Sequence, residues 1–232
     1  MLRRFVRNIR CRGFNSDQSF EDRDMKRIGV LVSGGGSNLQ AIIDSIEDGR
    51  IEAEIAVVIS NKPGVFALER AARHGIPTVV IDHRDYSTVA EYTGAILNGL
   101  GEYRVDLVCL AGFLRILDRL LTDAYPNRVL NIHPALLPAF GGKGMYGHHV
   151  HEAVIASGVK YSGATVHMVT PEADVGPILL QGIVEVSDSD TPDSLGEKVL
   201  KIEHRIYPEA IKLVLEEGID IEGMRVRRKK SN

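Results

Sequence analysis

The sequence predicts an α/β protein built on a doubly wound, mostly parallel sheet, and two patterns carry that prediction. From residue 27 to residue 133, short apolar runs rich in β-branched residues alternate with longer amphipathic segments. This alternation of strand and helix is typical of parallel strands joined by right-handed crossovers. After residue 133 two strand-like runs follow one another, and a long amphipathic segment ends the fold. We therefore expect a Rossmann-like sheet that ends in antiparallel strands and a long closing helix.

The first part of the chain predicts five strands and three helices. The strands are IGVLVS, IAVVIS, PTVVID, VDLVCLAG and RVLNIH, which are compact and β-branched, as strands covered on both faces are. The helices between them are SNLQAIIDSIEDG, GVFALERAARHG and YSTVAEYTGAILNGLGEY. Glycines end the first two helices.

The second part begins with a Pro/Gly-rich stretch, Pro134 to Gly147, and a helix near His149 to Ser157. A loop of that length inside a compact domain is more often functional than idle. The segments YSGATVHMVT and GPILLQGIVEV predict two strands, and TPDSLGEKVLKIEHRIYPEAIKLVLEEG predicts the closing helix. Thr191 is the expected N-cap of this helix and Pro192 its first residue.

The composition of the 232-residue chain restricts its partners and its compartment. A net charge of -3 argues against a general role on nucleic acid or on a membrane surface, so we expect small-molecule substrates. No apolar run approaches the roughly 20 residues that cross a bilayer. The two cysteines give no disulfide framework, which fits a reducing compartment. The length fits a single domain, which we place at residues 26–220, in a monomer or a homodimer.

The two ends of the chain differ from this domain. Residues 1–25 include MLRRFVRNIRCRGF, which has five arginines and no acid, as organellar transit peptides do. A disordered extension or an upstream start codon is the alternative, because MKRIGVLV at Met25 is a complete start of the fold. The expected location is cytoplasmic, with a plastid or mitochondrion as the alternative. Residues 221–232 form a basic tail that we expect to be solvated.

The stretch SGGGSNLQ, from Ser33 to Gln40, follows a predicted strand and opens a predicted helix. In that context backbone N–H groups and the positive end of the helix bind phosphate, and ligands of open α/β sheets bind where strands end. The stretch lacks the lysine of a P-loop, and Leu39 takes the place of the third glycine of a dinucleotide fingerprint. A single phosphate therefore suits it better than NAD or ATP. A tight turn without a ligand is the alternative.

The motif NIHPALLP places Asn131 and His133 two residues apart at the end of a predicted strand, so both side chains lie on the same face. A carboxamide that holds an oxyanion and an imidazole that moves a proton are what acyl transfer requires. Hydrogen bonds to backbone groups at the strand end are the alternative role for both residues.

The stretch HMVTPEADVGP carries two acids, Glu172 and Asp174, before a Gly-Pro turn. A carboxylate on this loop could reach His133, orient its ring and favour its charged form. An ordinary polar turn is the alternative for this stretch.

The remaining histidines and one glutamate have simpler interpretations. His148, His149 and His151 lack a partnered Cys or Glu at ligand spacing, so we expect solvated residues or residues at the rim of a ligand site, and no metal. His167, inside a predicted strand, is interpreted as structural. Glu203, on the closing helix, is interpreted from its position alone as exposed or capping.

Together, the segments SGGGSNLQAII, SNK, LAGFLRIL, NIHPALLPAF, VTPEADVGP and EHRIYP resemble the folate-dependent glycinamide ribonucleotide formyltransferases of purine biosynthesis. The resemblance covers about Lys26 to Gly218. NIHPALLP with a downstream Asp is shared by formyl-folate enzymes in general. SGGGSN in a chain of this length narrows the resemblance to the branch that acts on glycinamide ribonucleotide. It implies the formyltransferase fold and the transfer of a formyl group from 10-formyltetrahydrofolate to the primary amine of glycinamide ribonucleotide, with no metal. The products would be formylglycinamide ribonucleotide and tetrahydrofolate, in de novo purine (IMP) biosynthesis.

The resemblance also implies a catalytic trio of Asn131, His133 and Asp174. The substrate amine would attack the formyl carbon directly, and Asn131 and protonated His133 would stabilise the resulting oxyanion. Asp174 would keep His133 charged.

Binding residues are implied in the same way. The backbone at Gly36, Ser37 and Asn38 would hold the phosphate of the ribonucleotide, and Glu203 would contact the ribonucleotide near its ribose or amine. The residues implied to bind 10-formyltetrahydrofolate are Leu114, Arg115, Ile116, Leu117, Asn131, Thr170 and Asp174.

Two features depart from the family pattern. Leu200 stands where some members have a polar or basic residue one turn before the helix glutamate. The insert FGGKGMYGHHVH is longer and more basic than in the shorter members, and we interpret it as a variant lid over the substrate.

Other functions remain as alternatives. Formyltetrahydrofolate hydrolase would use the same trio on water, and methionyl-tRNA formyltransferase would use it on a charged tRNA. Both usually carry a further domain that we do not expect in a chain of this length. A non-catalytic nucleotide-binding module on the same sheet would need the glycine loop but neither Asn131 nor His133.

Overall fold

The computed structural model describes residues 25–229, which form a seven-stranded sheet with helices on both faces. The strands of the sheet are β1 (Lys26–Val32), β2 (Ala53–Ser60), β3 (Thr78–Val80), β4 (Leu107–Leu110), β5 (Val129–His133), β6 (Tyr161–Met168) and β7 (Ile178–Glu185). The helices are α1 (Ser37–Glu47), α2 (Phe66–Arg73), α3 (Val89–Glu102), α4 (Leu120–Ala124), α5 (His148–Ser157) and α6 (Pro192–Lys212). The smaller elements are a 3-10 turn (His83–Asp85), a π-helical turn (Leu213–Glu217) and a hairpin of β8 (Ile219–Glu222) and β9 (Arg225–Arg228).

The strand order in the sheet is β3-β2-β1-β4-β5-β6-β7. The first five strands in this order are parallel to one another. Strand β6 pairs antiparallel with β5, and β7 pairs antiparallel with β6. The predicted fold class, a mostly parallel sheet with antiparallel strands and a long closing helix in its C-terminal part, is therefore confirmed.

Two hydrophobic clusters cover the two faces of the sheet, as doubly wound topology requires. On one face Leu39 of α1, Val150 of α5 and Tyr207 of α6 pack together in the larger cluster. On the other face Ile96 of α3 and Leu121 of α4 belong to the second cluster. No helix within residues 25–229 combines the length and the apolar character needed to cross a membrane.

The helix ends follow the local signals in the sequence. Thr191 caps α6 by accepting a hydrogen bond from the backbone of Ser194, and Pro192 is the first helical residue, as predicted. Gly49 and Gly75 follow α1 and α2 with φ values of +69° and +67°. Both glycines provide the left-handed residue that commonly ends a helix, as their positions predicted.

Three local features differ from, or add to, what the sequence predicts. Strand β3 was expected to be covered on both faces, but Thr78 and Val80 are exposed because β3 is an edge strand that pairs only with β2. The stretch after β4 contains the short helix α4, which was not predicted. The basic tail is largely exposed, as predicted, but its segment Arg225–Arg228 forms strand β9, which pairs antiparallel with β8; residues 230–232 lie outside the described residues.

The fold brings the ends of three parallel strands to one edge of the sheet. Strands β1, β4 and β5 are neighbours, so the segments that begin at Ser33, Ala111 and Pro134 leave the sheet side by side. The hydroxyl of Tyr207 lies 3.0 Å from the Leu110 carbonyl oxygen and 3.2 Å from that of Leu130. Helix α6 is therefore fixed against the sheet next to the residues that follow these strands.

Gly36→Ala is expected to destabilise the fold at the turn between β1 and α1. Gly36 has φ +71°, and an added Cβ would lie 2.6 Å from the Cβ of Ala67 and 2.8 Å from its Cα. The left-handed backbone and the overpacking together should lower the free energy of unfolding by about 2–4 kcal/mol. Gly35→Ala is the control, because nothing lies within 4 Å of a Cβ there. Urea unfolding of both variants checks this, and equal stabilities would contradict it.

Candidate active site

The centre of the candidate site is the shared face of β5 and β6. Asn131 and His133 alternate along β5 and therefore point to the same face. The antiparallel register places His167 opposite Asn131 and Thr165 opposite His133. Four polar side chains from two strands thus lie within one patch at the edge of the core.

His133 contacts a protein group through each of its ring nitrogens. Its Nδ1 lies 3.6 Å from Oδ2 of Asp174, and its Nε2 lies 2.8 Å from the backbone carbonyl oxygen of Phe140. Because a carbonyl oxygen only accepts, Nε2 carries the proton of this hydrogen bond. The side chain is 4% exposed, so the ring is shielded from water on nearly all sides.

The charge state of His133 differs from the expectation that Asp174 keeps it protonated. Burial has the largest effect and lowers the pKa of His133. The carboxylate of Asp174 and the hydrogen bond to Phe140 raise this pKa but do not restore it. The structure therefore favours a neutral imidazole, because the cost of removing the imidazolium cation from water exceeds its attraction to one carboxylate at 3.6 Å.

Asp174 lies on the loop after β6, where it accepts a hydrogen bond from the backbone of Gly142 and lies 3.6 Å from ring nitrogens of His133 and His167. Burial raises the pKa of its carboxyl, but the contacts with His167 and His133 and the hydrogen bond from the backbone N–H of Gly142 together lower the net pKa. The Gly142 nitrogen lies 2.9 Å from Oδ2. The expected meeting of Asp174 with His133 is thus present, and this carboxyl group stays ionised.

The backbone from Phe140 to Gly142, which we call the strap, connects both partners of this pair. Phe140 accepts from His133, and Gly142 donates to Asp174. A Cβ on Gly141 would lie 2.6 Å from Cδ2 of Leu137 and 3.2 Å from the Cβ of Asp174, so a larger residue there would displace the Leu137 side chain and crowd Asp174. The strap belongs to the long Pro/Gly-rich loop that the sequence marked as functional.

His167 is the site residue that the sequence interpretation missed. Its Nδ1 donates to the Met168 carbonyl oxygen at 2.9 Å, so its Nε2 can accept from Nδ2 of Asn131 at 3.1 Å. The same Nε2 lies 3.6 Å from Oδ1 of Asp174. The ring was interpreted as structural, but it orients Asn131. Only the register of β5 with β6, which places the two residues opposite each other, could have revealed this contact.

The glycine loop leads from β1 into α1. Gly36 is the N-cap of α1 and has no side chain to bond the first backbone N–H groups of the helix. Helix α2 supports the loop from one side: the Ala67 N–H donates to the Gly34 carbonyl oxygen at 3.1 Å, and Arg70 Nε donates to that of Gly35 at 2.9 Å. The N–H groups at Ser37 and Asn38 therefore begin a helix that is held in place from outside the loop.

Asn38 and Glu203 form a buried pair between α1 and α6. Asn38 Nδ2 donates to Oε2 of Glu203 at 2.6 Å, and the two residues are 8% and 7% exposed. Burial raises the pKa of the Glu203 carboxyl to about 7, and the hydrogen bond from Asn38 opposes this only in part. Glu203 is therefore neither exposed nor a cap, contrary to its interpretation from position alone.

The residues expected to bind the folate lie on two loops. Leu114 and Ile116 are 53% and 78% exposed, which is high for apolar side chains, while Leu117 packs against the core. The Leu114 N–H donates to the Ser33 hydroxyl at 2.9 Å, which ties this loop to the glycine loop. Thr170 donates to the Glu172 carbonyl oxygen at 3.0 Å. Exposed apolar residues on an ordered loop suit a flat aromatic ligand.

Comparison with known proteins assigns the family. A family model described as formyl transferase matches residues 26–211. The chain belongs to the formyl transferase family. A phosphoribosylglycinamide formyltransferase from Arabidopsis thaliana, named as chloroplastic, is 42% identical over 208 residues, which are 88% of this chain and 70% of that protein. The trifunctional purine biosynthetic protein adenosine-3 of Homo sapiens is 45% identical over 196 residues, but this chain spans only 19% of its length.

Solved structures extend the likeness to the whole formyl transferase fold. The glycinamide ribonucleotide transformylase 1 from Symbiobacterium toebii superposes with a TM-score of 0.85 at 44% identity, over 94% of this chain and all of that one. A formyltetrahydrofolate deformylase from Pseudomonas syringae pv. tomato superposes with a TM-score of 0.80 at 25% identity, over 93% of this chain and 67% of that one. The fold is thus shared by formyl transferases and by a deformylase.

No group of three or more His, Cys, Asp or Glu side chains that could hold a metal ion occurs within residues 25–229 of this formyl transferase. His148 and His149 instead contact Glu152 and are half exposed. His151 is buried and contacts Gly196 of α6, so it lies apart from solvent, contrary to the expectation of a solvated cluster.

Glu203→Gln is expected to flatten the pH dependence of stability in this formyl transferase. The folded state holds the Glu203 proton up to about pH 7, whereas an unshifted carboxyl loses it near 4.5. The free energy of unfolding of the wild type should therefore fall as the pH rises from about 4.5 to about 7, by on the order of 3 kcal/mol. Glutamine cannot ionise and can still accept from Asn38, so the variant should keep that stability.

Urea unfolding at pH 5 and pH 8 checks this, with Glu197→Gln as the control. Glu197 is an exposed residue on the same helix. Identical pH slopes for the wild type and the Glu203→Gln variant would contradict the raised pKa.

Proposed function

We propose that this formyl transferase transfers the formyl group of 10-formyltetrahydrofolate to the amine of glycinamide ribonucleotide in purine biosynthesis. The products are formylglycinamide ribonucleotide and tetrahydrofolate. The observation that carries the proposal is the meeting of Asn131, His133 and Asp174 at the end of β5. The names of the relatives from Arabidopsis thaliana and Symbiobacterium toebii support the same substrate.

The trio is suited to this reaction in the following way. The uncharged amine attacks the formyl carbon, a new C–N bond forms, and the carbonyl oxygen becomes an oxyanion. The bond from the formyl carbon to N10 of the folate then breaks, N10 takes a proton, and the attacking nitrogen loses one. Asn131 has two amide hydrogens, of which one is directed at His167, so the second is available to the oxyanion.

The neutral His133 of the structure is compatible with a role as proton donor. Negative charge that develops on a nearby oxygen raises the pKa of an imidazole. Asp174, which stays ionised, raises it further. The ring can therefore take the proton that the attacking nitrogen loses as the oxyanion forms and pass it to N10, and general acid–base catalysis works best when the pKa lies near the working pH.

The proposed substrates fit separate parts of the site. The N–H groups at Gly36, Ser37 and Asn38 would bind the phosphate at the positive end of α1. The loop with Leu114, Arg115, Ile116 and Leu117 would bind 10-formyltetrahydrofolate together with Thr170. Glu203, bonded to Asn38, would contact the ribose or amine of the ribonucleotide between these two regions.

The assay that tests the function measures formyl transfer from 10-formyltetrahydrofolate with and without glycinamide ribonucleotide. We expect tetrahydrofolate to form only with the ribonucleotide and in a 1:1 ratio to the formylated product. Folate turnover that ignores the ribonucleotide would instead support the hydrolase alternative, which the shared fold of the Pseudomonas syringae deformylase makes the second candidate. No turnover under either condition would support a non-catalytic module.

In the same assay, Asn131→Ala and His133→Ala should fold but lose turnover by roughly 100-fold or more, the usual loss for one oxyanion donor. Asn98→Ala is the matched control, because Asn98 is exposed on α3 on the opposite face of the sheet. A folded Asn131→Ala variant with nearly normal turnover would overturn the assignment of the trio.

The location of the enzyme is a separate proposal. The relatives from Arabidopsis thaliana and Vigna unguiculata are named as chloroplastic, which supports the plastid alternative over the cytoplasmic one. Residues 1–24 lie outside the described residues, so this proposal rests on the arginine-rich composition and on those names. A fluorescent protein fused to residues 1–25 should enter the plastid, and a diffuse cytoplasmic signal would contradict a targeting role for these residues.

A further inference from the structure

A cavity of about 370 Å³ opens beside the glycine loop, between α1, α2 and α6. Ser37, the first residue of α1, forms part of its wall together with Gln40 and Asp44. Arg70 of α2 and His204 of α6 close the cavity from the other two helices. The cavity thus begins at the helix end where the phosphate is expected to bind.

Arg70 is held in one position by three contacts. Its Nε donates to the Gly35 carbonyl oxygen at 2.9 Å, and its Nη1 donates to Oε1 of Gln40 at 3.1 Å. Its guanidinium carbon lies 4.6 Å above the centre of the Phe66 ring. Nη2 makes no hydrogen bond to any residue of the described range, so a charged donor remains available beside the loop.

The contact with Gly36 shows how close this charge lies to the turn. A Cβ on Gly36 would lie 3.5 Å from Cδ of Arg70, so the side chain of the arginine passes along the turn itself. No carboxylate within residues 25–229 forms an ion pair with Arg70. The positive charge is therefore not neutralised by a direct partner.

His204 contributes a second polar group to the same wall. Its Nε2 atom is buried and has no hydrogen-bond partner within residues 25–229. Burial lowers the pKa of His204, the nearby charge of Arg70 lowers it further, and Asp44 opposes this. Arg70 and His204 line the same cavity, and the unpaired nitrogen costs stability unless a ligand satisfies it.

A phosphate monoester requires more charge than the helix end alone provides. It carries about −1.5 to −2 charges near pH 7, whereas a helix N-terminus is equivalent to only about half a positive charge. The glycine loop contains no lysine, and α6 presents Leu200 one turn before Glu203. A guanidinium, which binds phosphate oxygens through two parallel donors, is suited to supply the missing charge.

We propose that Arg70 and His204 form the polar wall of the phosphate site and bind the phosphate of the ribonucleotide together with the N–H groups of α1. This inference rests on the proposed function for the identity of the substrate. It assigns the recognition of the phosphate to α2 and α6 in addition to the glycine loop.

The test compares two substrates in formyl transfer: glycinamide ribonucleotide and glycinamide riboside, the same molecule without its phosphate. Arg70→Met keeps an apolar chain over Phe66 but removes the charge. It should raise the KM for the ribonucleotide about tenfold or more, the effect of one hydrogen bond to a charged group, with kcat changed by less than about threefold. The kcat/KM for the riboside should stay within about twofold of the wild type.

Arg73→Met is the matched control, because Arg73 lies on the same helix and over the same Phe66 ring but does not line the cavity. It should leave both substrates unaffected. Arg70→Lys, which keeps a positive charge, should raise the KM for the ribonucleotide less than Arg70→Met does. Equal losses for ribonucleotide and riboside in Arg70→Met would mean that Arg70 only supports the loop, and would overturn the proposal.

His204 is tested by two variants in the same comparison. His204→Gln keeps a hydrogen-bonding group and should retain most of the affinity for the ribonucleotide, whereas His204→Phe should raise only the ribonucleotide KM. An equal effect of both variants on the two substrates would exclude His204 from the wall.

Calorimetric titration with ribose 5-phosphate and with ribose separates this inference from the proposed function. The wild type should bind the phosphorylated sugar more tightly, and Arg70→Met should weaken that binding about tenfold. If the wild type shows this binding but no formyl transfer, the role of Arg70 in binding phosphate is supported and the proposed function is contradicted. Unchanged binding of ribose 5-phosphate by Arg70→Met would contradict the proposal that Arg70 binds the phosphate.

Discussion

The antiparallel pairing of β6 with β5 is the constraint on which the candidate site depends. The register places His167 opposite Asn131 and Thr165 opposite His133, so that polar groups from two distant segments share one face. The loop after β6 then returns over this face, and Asp174 lies 3.6 Å from each of the two histidines.

Burial acts on two carboxyl groups of the molecule with opposite net results. It raises the pKa of Glu203 to about 7, because the Asn38 amide is the one partner that opposes it. Asp174 is also buried, but His167, the Gly142 N–H and His133 together hold its pKa below the usual range. The number of polar partners around each carboxyl therefore decides whether its pKa rises or falls. One carboxyl group of the site therefore titrates near neutral pH, whereas the other stays ionised.

The elements that the sequence predicted well are those that depend on local patterns. The alternation of strands and helices, the N-cap at Thr191 and the glycines after α1 and α2 follow from periodicity and from backbone preferences within a few residues. The positions that failed depend on distant partners. His167 acts through its strand neighbour, and Glu203 is buried by Asn38, which is 165 residues away in the chain. The exposure of β3 and the hairpin at the C-terminus likewise depend on which strand edges the fold leaves open.

Part of the candidate site consists of main-chain atoms, and no residue type indicates them. The sequence placed Asn131, His133 and Asp174 on the right elements because their side chains carry recognisable chemistry. The carbonyl of Phe140 and the N–H of Gly142 could not be found this way, since every residue but proline has both groups. The glycines in that loop indicated an unusual backbone path but not what the path contacts.

The strap has a consequence for the solvent around His133. The Phe140 carbonyl already accepts a hydrogen bond from Nε2, and the His133 side chain is 4% exposed. The ring therefore loses its hydration when the protein folds. A substrate oxygen that replaces the Phe140 carbonyl as the acceptor of Nε2 exchanges one hydrogen bond for another. The imidazole then has no bound water to lose when the substrate binds. Little reorganisation remains for the reaction itself, which is the condition under which a fixed dipole or donor is most effective.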